Sequence, residues 1–193
     1  MLCIATSSLE AQRSRGGRAG RARGAQQEEV SFFSFTVFAG AAIPVGDAAD
    51  NLNTGYTLGV AGDYRPDPMS PLGFRLEASY ADLGAKGLSG TGISAKGTDA
   101  GANLNIVLWA PTTSTTSVAP YVTGGVNYSR LEARASSGNT TTTQSDNHFG
   151  FNVGGGLDLP LSGFAVRLDA RFKQISTNGS NFRTVPITVG IRF

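Results

Sequence analysis

The chain has 193 residues, of which 16% are charged and 26 are glycine. That is less charge and about twice the glycine of an average soluble domain, a balance that speaks against a helical bundle because glycine disfavours helix interiors. Eleven Phe and five Tyr speak against charged disorder, and a single cysteine (Cys3) with a single histidine (His148) excludes an internal disulfide or a His/Cys metal cluster.

The net charge of +2 sits at one end. Residues 1–30 hold five arginines (Arg13, Arg15, Arg18, Arg21, Arg23) against Glu10, Glu28 and Glu29, and the rest of the chain is balanced. The body therefore offers no basic stripe for nucleic acid. Residues 12–24, QRSRGGRAGRARG, read as a flexible, solvated arm. Residues 1–11, MLCIATSSLEA, resemble the end of a signal peptide whose apolar core is short. The expected organisation is thus a signal remnant or Arg/Gly-rich arm over 1–30 and one folded unit over 31–193.

From Phe33 onward the chain divides into eight segments of period two, each closed by Gly, Pro, Asn or Ser. The first, Phe33–Ile43, alternates Phe33, Phe35 and Val37 with Ser34 and Thr36, although Phe38 falls on the small face. That alternation favours a strand over a cleaved apolar core. The second runs Tyr56–Tyr64, the third Phe74–Asp82, the fourth Ala100–Leu108, the fifth Val122–Ser129 and the sixth Phe149–Asp158. The seventh is the clearest. Phe164, Val166, Leu168, Ala170 and Phe172 point one way, and Arg167, Asp169, Arg171 and Lys173 the other. The eighth, Val185–Phe193, carries Pro186, for which a bulge or a lost ladder bond is expected.

Connections alternate in character. Proline-marked turns follow segments two, four and six (Pro66–Pro71, Pro111–Pro120, Pro160–Gly163). Longer polar loops are expected at 84–98 and 133–147. Eight antiparallel segments close as an up-and-down barrel, and such a barrel has two homes. A lipocalin-like barrel is soluble, with an apolar interior for a ligand, whereas a transmembrane barrel is apolar outside and polar inside.

The polar faces carry Asp63, Arg75, Glu77, Asp158, Arg167, Asp169, Arg171 and Lys173 among many Gly, Ser, Thr and Asn, while the apolar faces are nearly free of charge at mid-strand. That pattern suits a crowded interior and a lipid-facing exterior, since a basic residue at mid-depth costs about 2–4 kcal/mol. Aromatics fall into two expected girdles: Phe74, Tyr64, Tyr121, Phe164 and Phe193 at one end, and Tyr56, Tyr80, Tyr128, Phe149, Phe172 and Phe182 at the other. Trp109 falls on the opposite face by parity.

The segments GAAIPVGD (40–47), GYTLGVAGDYRP (55–66), GFRLEASY (73–80), PYVTGGVNY (120–128) and PITVGIRF (186–193) resemble the outer-membrane β-barrel domain family, the small eight-stranded group of OmpA-, OmpX- and opacity-type barrels. The resemblance implies an eight-stranded antiparallel transmembrane barrel in the outer membrane, in contact with its lipid. It also implies that Ile187, Val189, Ile191 and Phe193 form the C-terminal signal read by the barrel assembly machinery.

The inward charges are expected to pair: Arg75, Arg167 and Arg171 with Glu77, Asp63 and Asp169, and Asp158 on the same face. No catalytic, metal or cofactor site is expected. His148, beside Asp146 and Asn147, reads as a solvated loop-end histidine, and no serine stands at a motif-like spacing from it. The triple glycine Gly154–Gly156 lies inside a strand, so it is no phosphate loop. The expected role is structural, or surface interaction through a ligand at loops 84–98 and 133–147, with a narrow pore as the alternative and a soluble ligand-binding barrel as the second.

Overall fold

The computed structural model describes residues 32–67, 70–86, 93–111, 118–137, 139–177 and 181–193. The arm expected over 1–30 lies outside these residues, as do parts of the Pro66–Pro71 and Pro111–Pro120 turns and the middle of the 84–98 loop. Eight strands form one closed, antiparallel, up-and-down barrel. They are β1 (Phe33–Pro44), β2 (Gly55–Tyr64), β3 (Leu72–Gly84), β4 (Ile93–Trp109), β5 (Ala119–Ser137), β6 (Thr140–Leu161), β7 (Phe164–Ser176) and β8 (Asn181–Arg192). One five-residue helix, α1 (Asp47–Asn51), sits between β1 and β2.

The first and last strands close the barrel, with Val37 opposite Ile191 and Ala41 opposite Ile187. Phe35 and Phe193 exchange both backbone bonds at that seam. The predicted parity holds. Phe33, Phe35, Val37, Leu58, Val60, Leu76, Leu104, Val126, Ile187 and Val189 face outward and are exposed, while Thr36, Asp63, Arg75, Asn105, Asp158 and Arg167 are buried inside. An exposed apolar band around a charged interior is the polarity of a membrane barrel. It overturns the soluble alternative, which required an apolar interior.

Two interior aromatics correct the girdle assignment. Tyr121 and Phe182 are expected at the lipid interface, yet Tyr121 is 4% exposed inside the barrel. Phe182 is half-buried against Ala42, Ala81 and Leu83. Other rings do pair along the two rims, as Phe33 with Tyr64 at 4.8 Å and Tyr128 with Phe149 at 4.9 Å. Phe38 does point inward, and its register explains how. Its neighbours on both sides are glycines, Gly59 on β2 and Gly190 on β8. A Cβ at Gly59 would lie 2.5 Å from the Phe38 ring, so a large side chain fits only because its neighbours have none.

The 133–147 loop is also corrected. β5 continues to Ser137 and β6 begins at Thr140, so this segment is a strand hairpin with two connecting residues. Threonines 140–143 favour extended backbone, and Ala133 and Ala135 pair with Gln144 and Thr142 across the ladder. β4 likewise extends up to Ile93, taking 93–98 out of the expected loop. The turn after β6 is tight, and Gly163 holds φ +88, a conformation that favours glycine. At Pro186 the ladder to β7 is interrupted between Ala170–Ile187 and Lys173–Thr184, yet it resumes in the same register. Proline costs bonds there and inserts no bulge.

Candidate functional site

Inward positions on five strands bring the charged side chains into one chain of alternating sign. Arg192 on β8 donates to Asp158 at 2.8 Å, and Arg167 on β7 grips both oxygens of Asp158 at 2.7 and 2.9 Å. The same guanidinium donates through Nη1 to Asp63 at 2.6 Å, whose other oxygen accepts from Arg75 Nε at 2.6 Å. Arg75 reaches Asp169 at 3.6 Å, and Arg171 bridges Asp169 at 2.6 Å to Glu77 at 2.8 Å. Four arginines thus alternate with four carboxylates, and Lys173 with Asp99 at 2.7 Å adds a separate pair.

All seven expected interior residues, Asp63, Arg75, Glu77, Asp158, Arg167, Asp169 and Arg171, are buried. Sequence reasoning missed Arg192, Asp99 and Tyr121. Arg192 alternates with Ile191 and Phe193 and so shares the polar face of β8, and extending the fourth segment by one residue would have placed Asp99 on the same side of the wall. Tyr121 donates its hydroxyl to Asp169 and lies beneath two guanidinium groups, Arg75 at 4.9 Å and Arg167 at 5.3 Å from its ring. The triple glycine serves this cluster. A Cβ at Gly156 would meet the Tyr121 hydroxyl at 2.5 Å, and one at Gly154 would meet Arg171 Cγ at 2.7 Å.

Both ends of the charged chamber are covered. At the end of the short turns, Trp109 and Tyr121 pack with Val107 and Ala119, and Arg65 stacks over Trp109 at 4.0 Å. At the other end, Ala42, Ala81 and Leu83 pack with Leu52 and Phe182. Between these layers a cavity of about 40 Å³ is lined by Glu77, Asp99, Asn103, Asn152 and Lys173. Such a space holds a few waters, and buried Asn152 directs both amide atoms without a protein partner.

Above the apolar layer the barrel opens into a vestibule of about 720 Å³, walled by Leu52, Ala133, Ala135, Gln144, His148 and Phe182. His148 is therefore no loop-end residue. It stands within β6 facing the vestibule, with its side chain 12% exposed and Nε2 3.8 Å from Asp146. Ser129 lies directly opposite His148 in the ladder. Ser129 is fully buried, and its Oγ accepts a bond from Asn127 at 3.3 Å.

The outer strands differ from the rest of the wall. β6 pairs with β5 along its whole length, but its pairing with β7 begins only at Gly150. Residues 140–149 thus project as the edge of a three-stranded sheet, β4–β5–β6, rising from the rim marked by Tyr128 and Phe149.

The model of the outer membrane protein beta-barrel domain matches residues 2–193. No curated protein matches the chain in sequence. Among solved structures, the fold is similar to Neisserial surface protein A, with TM-score 0.59, 19% identity, and coverage of 86% of this chain and 98% of that one. A major outer membrane protein from Thermus thermophilus gives TM-score 0.61, 19% identity, and 83% and 98% coverage. The outer membrane protein OprG from Pseudomonas aeruginosa gives TM-score 0.51, 16% identity, and 83% and 95% coverage. At these identities the likeness is one of fold. With the family model spanning nearly the whole chain and the polarity of the wall in agreement, the protein belongs to the outer membrane protein β-barrel domain family and resides in the outer membrane.

Proposed function

We propose that this barrel is a non-enzymatic surface protein of the envelope, whose membrane-embedded body is a plugged anchor and whose outer sheet makes the contacts. The observation that carries the reading is the contrast between an interior filled by paired charges under two apolar layers and a sheet that projects beyond the rim. A plugged interior supports an anchor over the pore alternative, because an ion entering it would have to break buried pairs. Ser129, fully buried and bonded to Asn127, supports the absence of catalysis. A nucleophile needs its base within hydrogen-bond reach and needs room for substrate.

In this reading the outer-membrane lipid surrounds the apolar band, and the surface partner meets the outer face at 84–98 and 133–147. Ile187, Val189, Ile191 and Phe193, all exposed on one face of the last strand, serve as the segment read by the assembly machinery. Among similar folds, the attachment invasion locus protein of Yersinia pestis was solved in complex with the heparin analogue sucrose octasulfate, at TM-score 0.50 and 14% identity. A polysulfated sugar is therefore a reasonable first probe.

Two measurements test the reading. Planar bilayers holding the protein should show no stepwise conductance, and steady channels would favour the pore. Cells carrying the protein should adhere to heparin-coated or protein-coated surfaces, and removal of residues 134–143 should abolish that adhesion. Adhesion unchanged by the removal, or none above barrel-free cells, would overturn the surface role.

A further inference from the structure

The vestibule has an apolar floor and an apolar wall. Inward positions of β5 hold Leu131, Ala133 and Ala135, and β4 sets Gly97 beside Ala133 and Ala95 beside Ala135. Ala133 and Ala135 are exposed. Leu52 and Phe182 also line the vestibule, and both pack on the apolar layer that seals the charged chamber below. Leu52 reaches the wall itself, since a Cβ at Gly97 would meet one of its methyls at 3.7 Å. The vestibule volume of about 720 Å³ lies within the range of small-molecule sites, about 300–1,000 Å³.

A column of polar side chains climbs the wall beside this slab. His148, Asp146, Gln144 and Thr142 occupy successive inward positions of β6. Asp146 lies directly opposite Leu131, Gln144 opposite Ala133, and Thr142 opposite Ala135. Side chains directly opposite in an antiparallel ladder start about 4.5–5.5 Å apart. One small molecule can therefore meet the carboxylate and the apolar slab together, and the slab extends about 13 Å along the strand from Asp146.

The charge offered to such a molecule is negative. Lys96, Glu132 and Arg134 also border the vestibule, but they share the strand parity of the lipid-facing Leu104 and Tyr128. They are also paired, Arg134 with Glu132 at 3.0 Å and Lys96 with Asp82 at 3.5 Å. Asp146 has no lysine or arginine partner among the described residues. Its carboxylate is 65% exposed, accepts from the Asn147 backbone N–H at 2.9 Å, and has His148 at 3.8 Å.

We propose that the vestibule is a binding site for a small organic amine with an apolar body. The ammonium sits on Asp146, with the Gln144 amide oxygen as acceptor for a second hydrogen, and the body lies on Leu131, Ala133 and Ala135 against Leu52 and Phe182. A charge-assisted bond to the carboxylate selects a cation with hydrogens to donate, and the unpaired Asp146 repels anions. The sealed floor makes this a pocket that holds its ligand rather than a path across the membrane. The inference goes beyond the surface role proposed above. That role uses the outer face of the projecting strands, this one their inner face, and the test reads no adhesion.

The test uses the full chain in nanodiscs of phosphatidylcholine, with empty nanodiscs as the blank for partition into lipid, and phenylbutylamine as the probe. Methyl signals of Leu131, Ala133 and Ala135 should shift with added amine and saturate. Phenylbutanol, which shares the body and lacks the charge, should bind more weakly by about tenfold or more. Asp146→Asn should lower the amine to the affinity of the alcohol, and Ala133→Phe should weaken both by filling the vestibule. Resistance to SDS before heating should persist in both variants, because neither residue belongs to the arginine–carboxylate chain. Equal affinity for amine and alcohol, or parental affinity in Asp146→Asn, would overturn the amine class. Unmoved methyls at millimolar amine, or binding indifferent to Ala133→Phe, would overturn the site.

Discussion

Within the membrane every strand has a neighbour on each side, and every buried charge in the arginine–carboxylate chain has a counter-charge within 3.6 Å. Beyond the rim the same β6 strand continues over 140–149 with no β7 partner among the described residues, and the side chains of 140–147 are exposed. The two regions share backbone geometry and differ in solvent. Lipid offers nothing to an unpaired N–H or C=O, so the wall must close. Water satisfies an open edge, so the outer sheet can leave one. The body is therefore specified by pairing and packing, and the outer sheet by local strand propensity alone.

The largest effect should come from breaking the charge chain at its centre. Arg167 contacts Asp63 and Asp158 together, and Arg167→Ala would leave both carboxylates short of a partner. A loss of about 3–5 kcal/mol is expected, read as a lower urea midpoint in lipid vesicles and a lower temperature of gel-mobility shift. A variant as stable as the parent would show that the chamber is hydrated enough to tolerate free charge, and the contrast between the two regions would weaken.

Packing inside the wall should respond next. Gly59→Ala places a Cβ against Phe38 and the backbone of β3 and should cost about 1–3 kcal/mol. Gly62→Ala is the control on the same strand. Its Cβ would face outward and meet only the Phe35 ring at 3.7 Å, an ordinary contact, so its effect should be small. Equal losses from both would mean that backbone strain matters more than the space kept for Phe38.

The same positions show what the sequence makes legible. Parity read within each strand is enough to put Asp63, Arg75, Glu77, Asp158, Arg167, Asp169 and Arg171 inside, because in a barrel one face must be apolar. Phe38 and Tyr121 are not resolved that way. Their places depend on glycines in neighbouring strands, and that is a matter of register, set by residues far apart in sequence. Arg192 meets Asp158 across 34 residues for the same reason. The outer hairpin reads as a loop because Thr140–Gln144 bury no face, and without a buried face the alternation that marks a strand is missing.

Pro186 offers a smaller and opposite effect. The β7–β8 ladder skips Arg171–Phe172 against Val185–Pro186, so Pro186→Thr would restore a donor without changing the register. Stability should rise by about 0.5–1.5 kcal/mol, the net worth of a hydrogen bond, measured by the same urea titration. A loss instead would show that the proline ring fills space beside the small cavity, whose lining it joins.

The smallest effect should come from the outer sheet. Removing residues 134–143 and joining β5 to β6 by a short turn deletes backbone pairs that lie wholly above the rim, from Arg134–Thr143 to Ser137–Thr140 and, on β4, from Lys96–Arg134 to Ile93–Ser137. None of those residues takes part in the arginine–carboxylate chain or in the two apolar layers that cover it. Arg134 pairs with Glu132, a neighbour on the same strand at the surface, and exposed pairs of that kind contribute about 0–1 kcal/mol. The unfolding midpoint should therefore stay within about 0.5 kcal/mol of the parent. A large loss would mean that the hairpin braces the barrel. The open β6 edge would then be a by-product of that bracing, and the division between a self-sufficient body and a surface free to meet other proteins would fail at its most accessible point.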